Sequence, residues 1–288
     1  MLNKNIETFI GCDSEYSEAE IVMFGAPFDS TTSFRPGARF GSKATRSESF
    51  GIETYSPYQD KDLSEIKVFD GGDLELCFGD TSLSLNMIEE YTDTILKNNK
   101  IPFMIGGEHL VTLGAVRSLF KKYPDLHIIH FDAHTDLRDE YLGTPLSHAC
   151  VMRRCWDILG DGKIFQFGIR SGEKDEFAWG GRGHVYIQKF NFDGLAQVVT
   201  SLGVNGKPVY FTIDLDVLDP AVFPGTGTPE AGGVDFRQLL DAMTTVCGGV
   251  KVVGCDVTEL CPVYDQSGVS TAAACKVIRE LLLLAGAG

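Results

Sequence analysis

Short apolar runs alternate with longer amphipathic stretches along almost the whole chain. Eight runs read as strands: residues 20–27 (EIVMFGAP), 66–73 (IKVFDGGD), 101–107 (IPFMIGG), 126–134 (LHIIHFDAH), 163–170 (KIFQFGIR), 184–190 (HVYIQKF), 208–216 (PVYFTIDLD) and 251–259 (KVVGCDVTE). Five stretches with helical periodicity fall between or after them: 84–99, 110–123, 192–202, 236–247 and 270–285. Continuous apolar runs suit strands covered on both faces. Their alternation with helices implies right-handed βαβ crossovers and parallel pairing. The pattern predicts one three-layer α/β domain over residues 1–288, with a mostly parallel sheet of about eight strands. Ligands of such folds bind beyond the carboxyl ends of the strands.

Four of the predicted strand ends carry polar clusters. IGGEH presents His109 after two glycines, and FDAHTD sets Asp132, His134 and Asp136 at every second position. TIDLD contributes Asp214 and Asp216, and DVTEL contributes Glu259. Side chains at i, i+2 and i+4 share one face of a strand, so the DAHTD trio converges if the strand persists through it. A lone histidine after glycines, or a single D-x-D at a strand end, reads most simply as a turn or cap. Their coincidence at one end of one sheet is what points to a site. Uncompensated buried carboxylates cost several kcal/mol each or take up protons, and neither aspartate motif contains Lys or Arg. A metal cation resolves this. Four aspartates and two histidines exceed what one zinc ion needs. Two ions fit better, and an oxygen-rich set with some imidazole favours Mn²⁺ over Zn²⁺. Two adjacent ions lower the pKa of a shared water towards neutrality, which is a hydrolase's tool. His127 and His130 read as packing histidines or as support for the ligands; His184 sits in no motif.

Composition narrows the partners. The 288 residues carry 25 basic and 40 acidic side chains, a formal charge of −15, which disfavours unspecific binding to nucleic acid or anionic membrane and leaves a small cationic substrate open without selecting it, since many soluble enzymes are acidic. Eight scattered cysteines form no C-x-x-C pair and read as reduced thiols. The first residues do not form a signal peptide and the LLLLAGAG tail is too short to span a bilayer, so a cytoplasmic location is expected.

IGGEH, FDAHTD, FTIDLDVLDPAVFPGTGTPEAGG and DVTELCPVYDQS together resemble the ureohydrolase (arginase–agmatinase) family, as do residues 33–49, 147–154 and 165–172. The resemblance implies a three-layer α/β/α fold with an eight-stranded parallel sheet, two Mn²⁺ ions per chain, and trimers or hexamers. It implies that His109, Asp132, Asp136 and Asp214 bind one ion and that His134, Asp132, Asp214 and Asp216 bind the other, with Asp132 and Asp214 bridging. A hydroxide between the ions, held by Asp136, would attack a guanidinium carbon; His148 would shuttle the proton and Glu259 would receive the guanidinium. Glu108 stands where many members carry Asp, and since it is not a ligand position little consequence is expected.

The loop from Leu137 to His148 contains no Asn, and its only Ser is Ser147. That removes the polar grip by which arginases read an α-amino acid, so L-arginine is disfavoured. SHACVMRR and GIRSG are similar to the agmatinase branch, which implies agmatine as substrate and putrescine and urea as products. Asp139 and Glu140 are the expected attractors of the ammonium tail. Arg138 offers a partner for a carboxylate tail, leaving guanidinobutyrate or another guanidino compound as the alternative. A dinuclear phosphoesterase would need a G-N-H motif and a related deacetylase a His-His pair, both missing from the sequence. A non-catalytic polyamine- or metal-binding regulator of this fold would be expected to lose ligands or the acid, and all are present.

Overall fold

The computed structural model describes residues 7–286. Its strands are β1 (Ile21–Gly25), β2 (Tyr55–Ser56), β3 (Lys61–Asp62), β4 (Val68–Asp73), β5 (Ile101–Ile105), β6 (His127–Phe131), β7 (Ile164–Ile169), β8 (Tyr186–Lys189), β9 (Pro208–Asp214) and β10 (Lys251–Thr258). The helices are α1 (Gly41–Glu48), α2 (Thr81–Lys97), α3 (Thr112–Lys122), α4 (Val151–Leu159), α5 (Lys174–Trp179), α6 (Leu195–Val204), α7 (Phe236–Gly249) and α8 (Val269–Ala285). Eight strands form one sheet in the order β4-β1-β5-β10-β9-β6-β7-β8, with every pair parallel. All eight expected strands are these. The antiparallel β2–β3 hairpin was not anticipated from the sequence.

Helices cover both faces. Side chains of α6, α7 and α8, among them Val199, Leu239 and Ile278, pack on Ile129, Phe131, Phe211 and Ile213. Those of α2, α3 and α4, among them Ile88, Val116 and Val151, pack on Ile128 and Tyr210. Sequence chemistry sets the helix starts. Asp80 accepts the Leu83 N–H at 2.9 Å, and Asp235 and Gln238 exchange hydrogen bonds in a capping box. Helix α1 escapes an apolar-periodicity reading because its buried positions are Gly41, Ser42, Thr45 and Arg46. There the Arg46 guanidinium pairs with the buried Asp70 at 2.9 Å, so polar pairing replaces hydrophobic burial. Helices α4 and α5 are nine and six residues long, too short for periodicity to declare them. Among the described residues no helix is long and apolar enough to cross a membrane.

The topology decides where chemistry gathers. Strands β5, β10, β9 and β6 are consecutive neighbours in the sheet, and they are the four that carry the polar clusters at their carboxyl ends.

Candidate metal centre and active site

Strand β6 is wholly buried and ends at Phe131, not at Asp136. The alternation expected through DAHTD therefore gives way to a loop with partly extended pairing. The Ala133 carbonyl accepts the N–H groups of Arg170 and Ser171 at 2.8 and 2.9 Å, and Thr135 donates to the Ser171 carbonyl. Asp136 then adopts a left-handed φ of 52°. An L-residue rarely holds that conformation without a reason; here the turn sends its carboxylate back towards His109. Its carbonyl meanwhile receives the N–H groups of Met152 and Arg153 at the start of α4, two donors that a helix N-terminus leaves without intrahelical partners. Asp216 likewise lies past β9, in a 3₁₀ turn spanning Leu215–Val217, where its N–H donates to the Asp214 carboxylate at 2.8 Å. Glu259 is the second candidate carboxylate at positive φ, 64°.

These turns bring the six expected ligand residues into two adjoining groups. His109 Nδ1 lies 3.1 Å from Asp132 Oδ2, 3.2 Å from Asp136 Oδ2 and 3.4 Å from Asp214 Oδ2. His134 Nδ1 lies 3.0 Å from Asp216 Oδ2 and 3.5 Å from Asp132 Oδ1. Asp132 thus offers one oxygen to each group. The four aspartates are all buried, and among the described residues their ion-pair partners are histidines alone.

The protonation energetics follow. Burial, then Asp216 and Asp132, push the Asp214 carboxyl well above its usual range. Burial and Asp132 raise Asp136 to about 7. Burial works against a charge on His109 and His134, yet Asp132 and Asp136 raise the first well above its ordinary value and Asp216 and Asp132 raise the second. The donor set, four carboxylates and two imidazoles with no thiolate, is one that two hard divalent ions match.

A buried polar row supports the centre from within the sheet. Gln166, His130, Thr212 and Asp256 sit side by side in register on β7, β6, β9 and β10, each fully buried. Thr212 Oγ1 meets His109 Nε2 at 2.9 Å. The Gln166 amide donates to His130 Nδ1 at 3.0 Å and to the Thr135 carbonyl at 2.6 Å, which leaves His130 Nε2–H to donate to Asp132 Oδ2 at 2.7 Å. His130 has both ring nitrogens engaged inside the protein, so it supports the candidate ligand Asp132 in the manner typical of groups behind metal sites. The sequence held a trace of this row: His130 and Thr212 share the strand parity of Asp132 and Asp214. His127 opens β6 and bonds the Asp125 carbonyl at 2.8 Å. His184 stacks on Trp179 and pairs with Asp161, away from the centre.

A cleft of about 280 Å³ opens over the two groups, lined by Asp136, Asp214, Asp216, His134, His148 and Glu259 on its floor and flank. Glu259 Oε1 accepts the His109 N–H at 2.8 Å. Burial, then Glu108 and Asp216, raise its carboxyl well above the ordinary range. Burial, then the neighbouring His134 and His109, lower His148 to about 4, so its imidazole is neutral at pH 7.

Asp139 and Glu140 do not reach this cleft. They border an adjoining hollow with Arg153 and Arg182, and Asp139 pairs with Arg154 at 2.7 Å. The loop turns outward after Arg138, whose guanidinium stacks over Tyr141 at 4.2 Å. The cleft's far end is built instead by Arg138, Tyr141, Glu173 and Glu176. Glu173, the N-cap of the short α5, and Glu176 within it lie just past GIRSG and carried no sequence signal. Arg138 Nη1 sits 3.1 Å from Glu173, and its Nε sits 3.7 Å from Glu176. Arg170, within GIRSG, holds the walls in place by donating to the carbonyls of Asp216, Val217, Leu218 and Glu230.

Comparison with known proteins agrees with this construction. The profile of the Arginase family matches residues 19–284. The agmatinase of Bacillus subtilis is 48% identical over 279 residues, covering 96% of each chain. The human mitochondrial guanidino acid hydrolase is 33% identical over 91% of this chain and 77% of its own length. A crystal structure from Clostridium difficile, 50% identical, superposes with a TM-score of 0.92 over 95% of this chain and 99% of its own. The chain belongs to the arginase family, the ureohydrolases.

Proposed function

We propose that this enzyme hydrolyses agmatine to putrescine and urea with two Mn²⁺ ions. The observation that carries the choice of tail is the charge at the cleft's far end, where Glu173 and Glu176 face the single guanidinium of Arg138. That leaves one net negative charge to meet an ammonium. Arg138 is already engaged by both carboxylates, so it is poorly placed to receive a carboxylate tail. The similarity to the Bacillus subtilis agmatinase supports the same reading.

His109, Asp132, Asp136 and Asp214 would hold one ion, and His134, Asp132, Asp214 and Asp216 the other. When bound, the ions supply Lewis acidity and a water acidic enough to react near neutral pH. Glu259 binds the substrate guanidinium by charge-assisted hydrogen bonds, for which a carboxylate matches the planar fork. The reaction consumes one water and one guanidinium and yields urea and an alkylammonium, so two protons, both supplied by the water, must reach the leaving nitrogen. His148, neutral at rest, takes up a proton at its imidazole and passes it to that nitrogen, acting first as base and then as acid. Tyr141 and Ser33 narrow the cleft beside it. A urea-release panel with agmatine, 4-guanidinobutyrate and L-arginine in Mn²⁺ tests the proposal. Agmatine is expected to lead; guanidinobutyrate ahead by an order of magnitude would overturn the tail assignment.

A further inference from the structure

Glu108 was expected to matter little, yet its carboxylate is fully buried and no basic side chain pairs with it among the described residues. It is instead the hub of a hydrogen-bond clamp on residues 28–32. Its carboxylate accepts the Thr31 N–H and the Thr32 hydroxyl, each at 3.0 Å, together with the Thr31 hydroxyl in a short contact. Its own N–H donates to the Phe28 carbonyl at 2.7 Å. The approach is close enough that a Cβ on Gly107 would lie 2.0 Å from the Phe28 oxygen, which explains the second glycine of IGGEH.

The clamped segment leads to His148. The Thr31 hydroxyl gives its proton to Glu108 and accepts the His148 backbone N–H at 3.0 Å; a hydroxyl can donate and accept at once. Two residues on, Ser33 Oγ lies 3.1 Å from His148 Nε2. One stretch of chain, fixed by one carboxylate, therefore meets His148 at both its backbone and its ring tip. We infer that Glu108, acting through the Thr31 hydroxyl, is a positioning residue that sets the imidazole of His148 over the cleft, and that Ser33 aims its Nε2. This rests on the reading of His148 as the proton carrier.

The test is a double-mutant cycle on Mn²⁺-loaded enzyme, with urea release from agmatine as the readout. Thr31→Val keeps the side chain's shape and removes its hydroxyl. It is expected to lower kcat about 10- to 100-fold, the scale of a small misplacement of a reacting group, with KM and metal content unchanged. Thr31→Ser is expected to restore kcat. In a His148→Ala background, Thr31→Val should cost nothing further, since groups acting through one another are not additive. Ser33→Ala, at an exposed position, should show a smaller kcat loss that also vanishes in that background, and it keeps the test open should the Thr31 variant fail to fold. Equal losses with and without His148, or no recovery with serine, overturn the inference. Wild-type enzyme that releases urea from no guanidine overturns the functional reading instead.

Discussion

Asp132 is the residue on which a two-ion centre depends most directly. Its Oδ2 lies 3.1 Å from His109 Nδ1 and its Oδ1 lies 3.5 Å from His134 Nδ1, so each oxygen serves one group. Asp132→Asn keeps the shape, turns one of those oxygens into an NH₂ donor, and removes one negative charge. Four aspartates balance two divalent ions; three leave an excess positive charge in a buried site. At about 4 Å and an effective dielectric constant of ~20, each pair of unit charges is worth about 4 kcal/mol, or roughly a thousandfold in affinity. The backbone N–H of His134 donates to Asp132 Oδ1 at 2.5 Å, a bond that an amide oxygen retains, while the NH₂ at the other position meets the His130 Nε2–H instead of accepting it, so the fold of the variant is checked directly. The assay is elemental analysis of protein saturated with Mn²⁺ and then dialysed, beside circular dichroism and urea release. The variant should fold, lose at least one of the two ions and lose activity. Two ions retained per chain after dialysis would refute the bridging geometry.

His148→Ala should keep both ions yet lower turnover about 10²-fold, as for loss of a proton-transfer group; unchanged turnover would move that role elsewhere. Glu173→Gln should raise KM for agmatine about fivefold, the modest size reflecting an exposed carboxylate, and should shift the preference towards 4-guanidinobutyrate; an unchanged ratio of the two substrates would remove Glu173 from tail recognition. Asp265 links acid stability to one side chain. Burial opposes its charge, but the hydroxyls and N–H groups of Ser267 and Ser270 outweigh burial and hold its pKa at about 2. That lies below the ~3.9 of an unfolded aspartate, so its contribution, about 2 kcal/mol, is complete above pH ~4 and is lost as pH falls towards 2. Asp265→Asn should lower Tm at pH 7 and flatten the loss of stability between pH 4 and 2; a wild-type acid profile would contradict this.

The sheet was legible because buried parallel strands announce themselves as continuous apolar runs, and here each such run became a strand. The metal-ligand candidates were legible for a different reason: carboxylates and imidazoles at the ends of apolar strands have no bland explanation when four neighbours share them. The convergence of DAHTD was expected if its strand persisted through it, and β6 ends at Phe131. Strand parity delivers Asp132 and Asp214, whereas Asp136 and Glu259 reach the cleft through positive-φ turns that no hydrophobic pattern encodes. The distal wall was misread because charge near a motif was taken as charge in the cleft. Asp139 follows DAHTD closely but faces Arg154, while Glu173 and Glu176, some 40 positions away, line the cavity. The clamp of Glu108 on Thr31 spans 77 positions and joins two loops, so its pairing could be found only after folding.

The most direct test of the central claim is urea release by purified enzyme, stripped with chelator and reconstituted with Mn²⁺, assayed against agmatine, 4-guanidinobutyrate and L-arginine side by side. The expected result is no urea from the stripped protein, and after reconstitution urea and putrescine in equal amounts from agmatine, well ahead of the other two. Full activity in the stripped protein, or urea released from L-arginine or guanidinobutyrate in preference to agmatine, would contradict it.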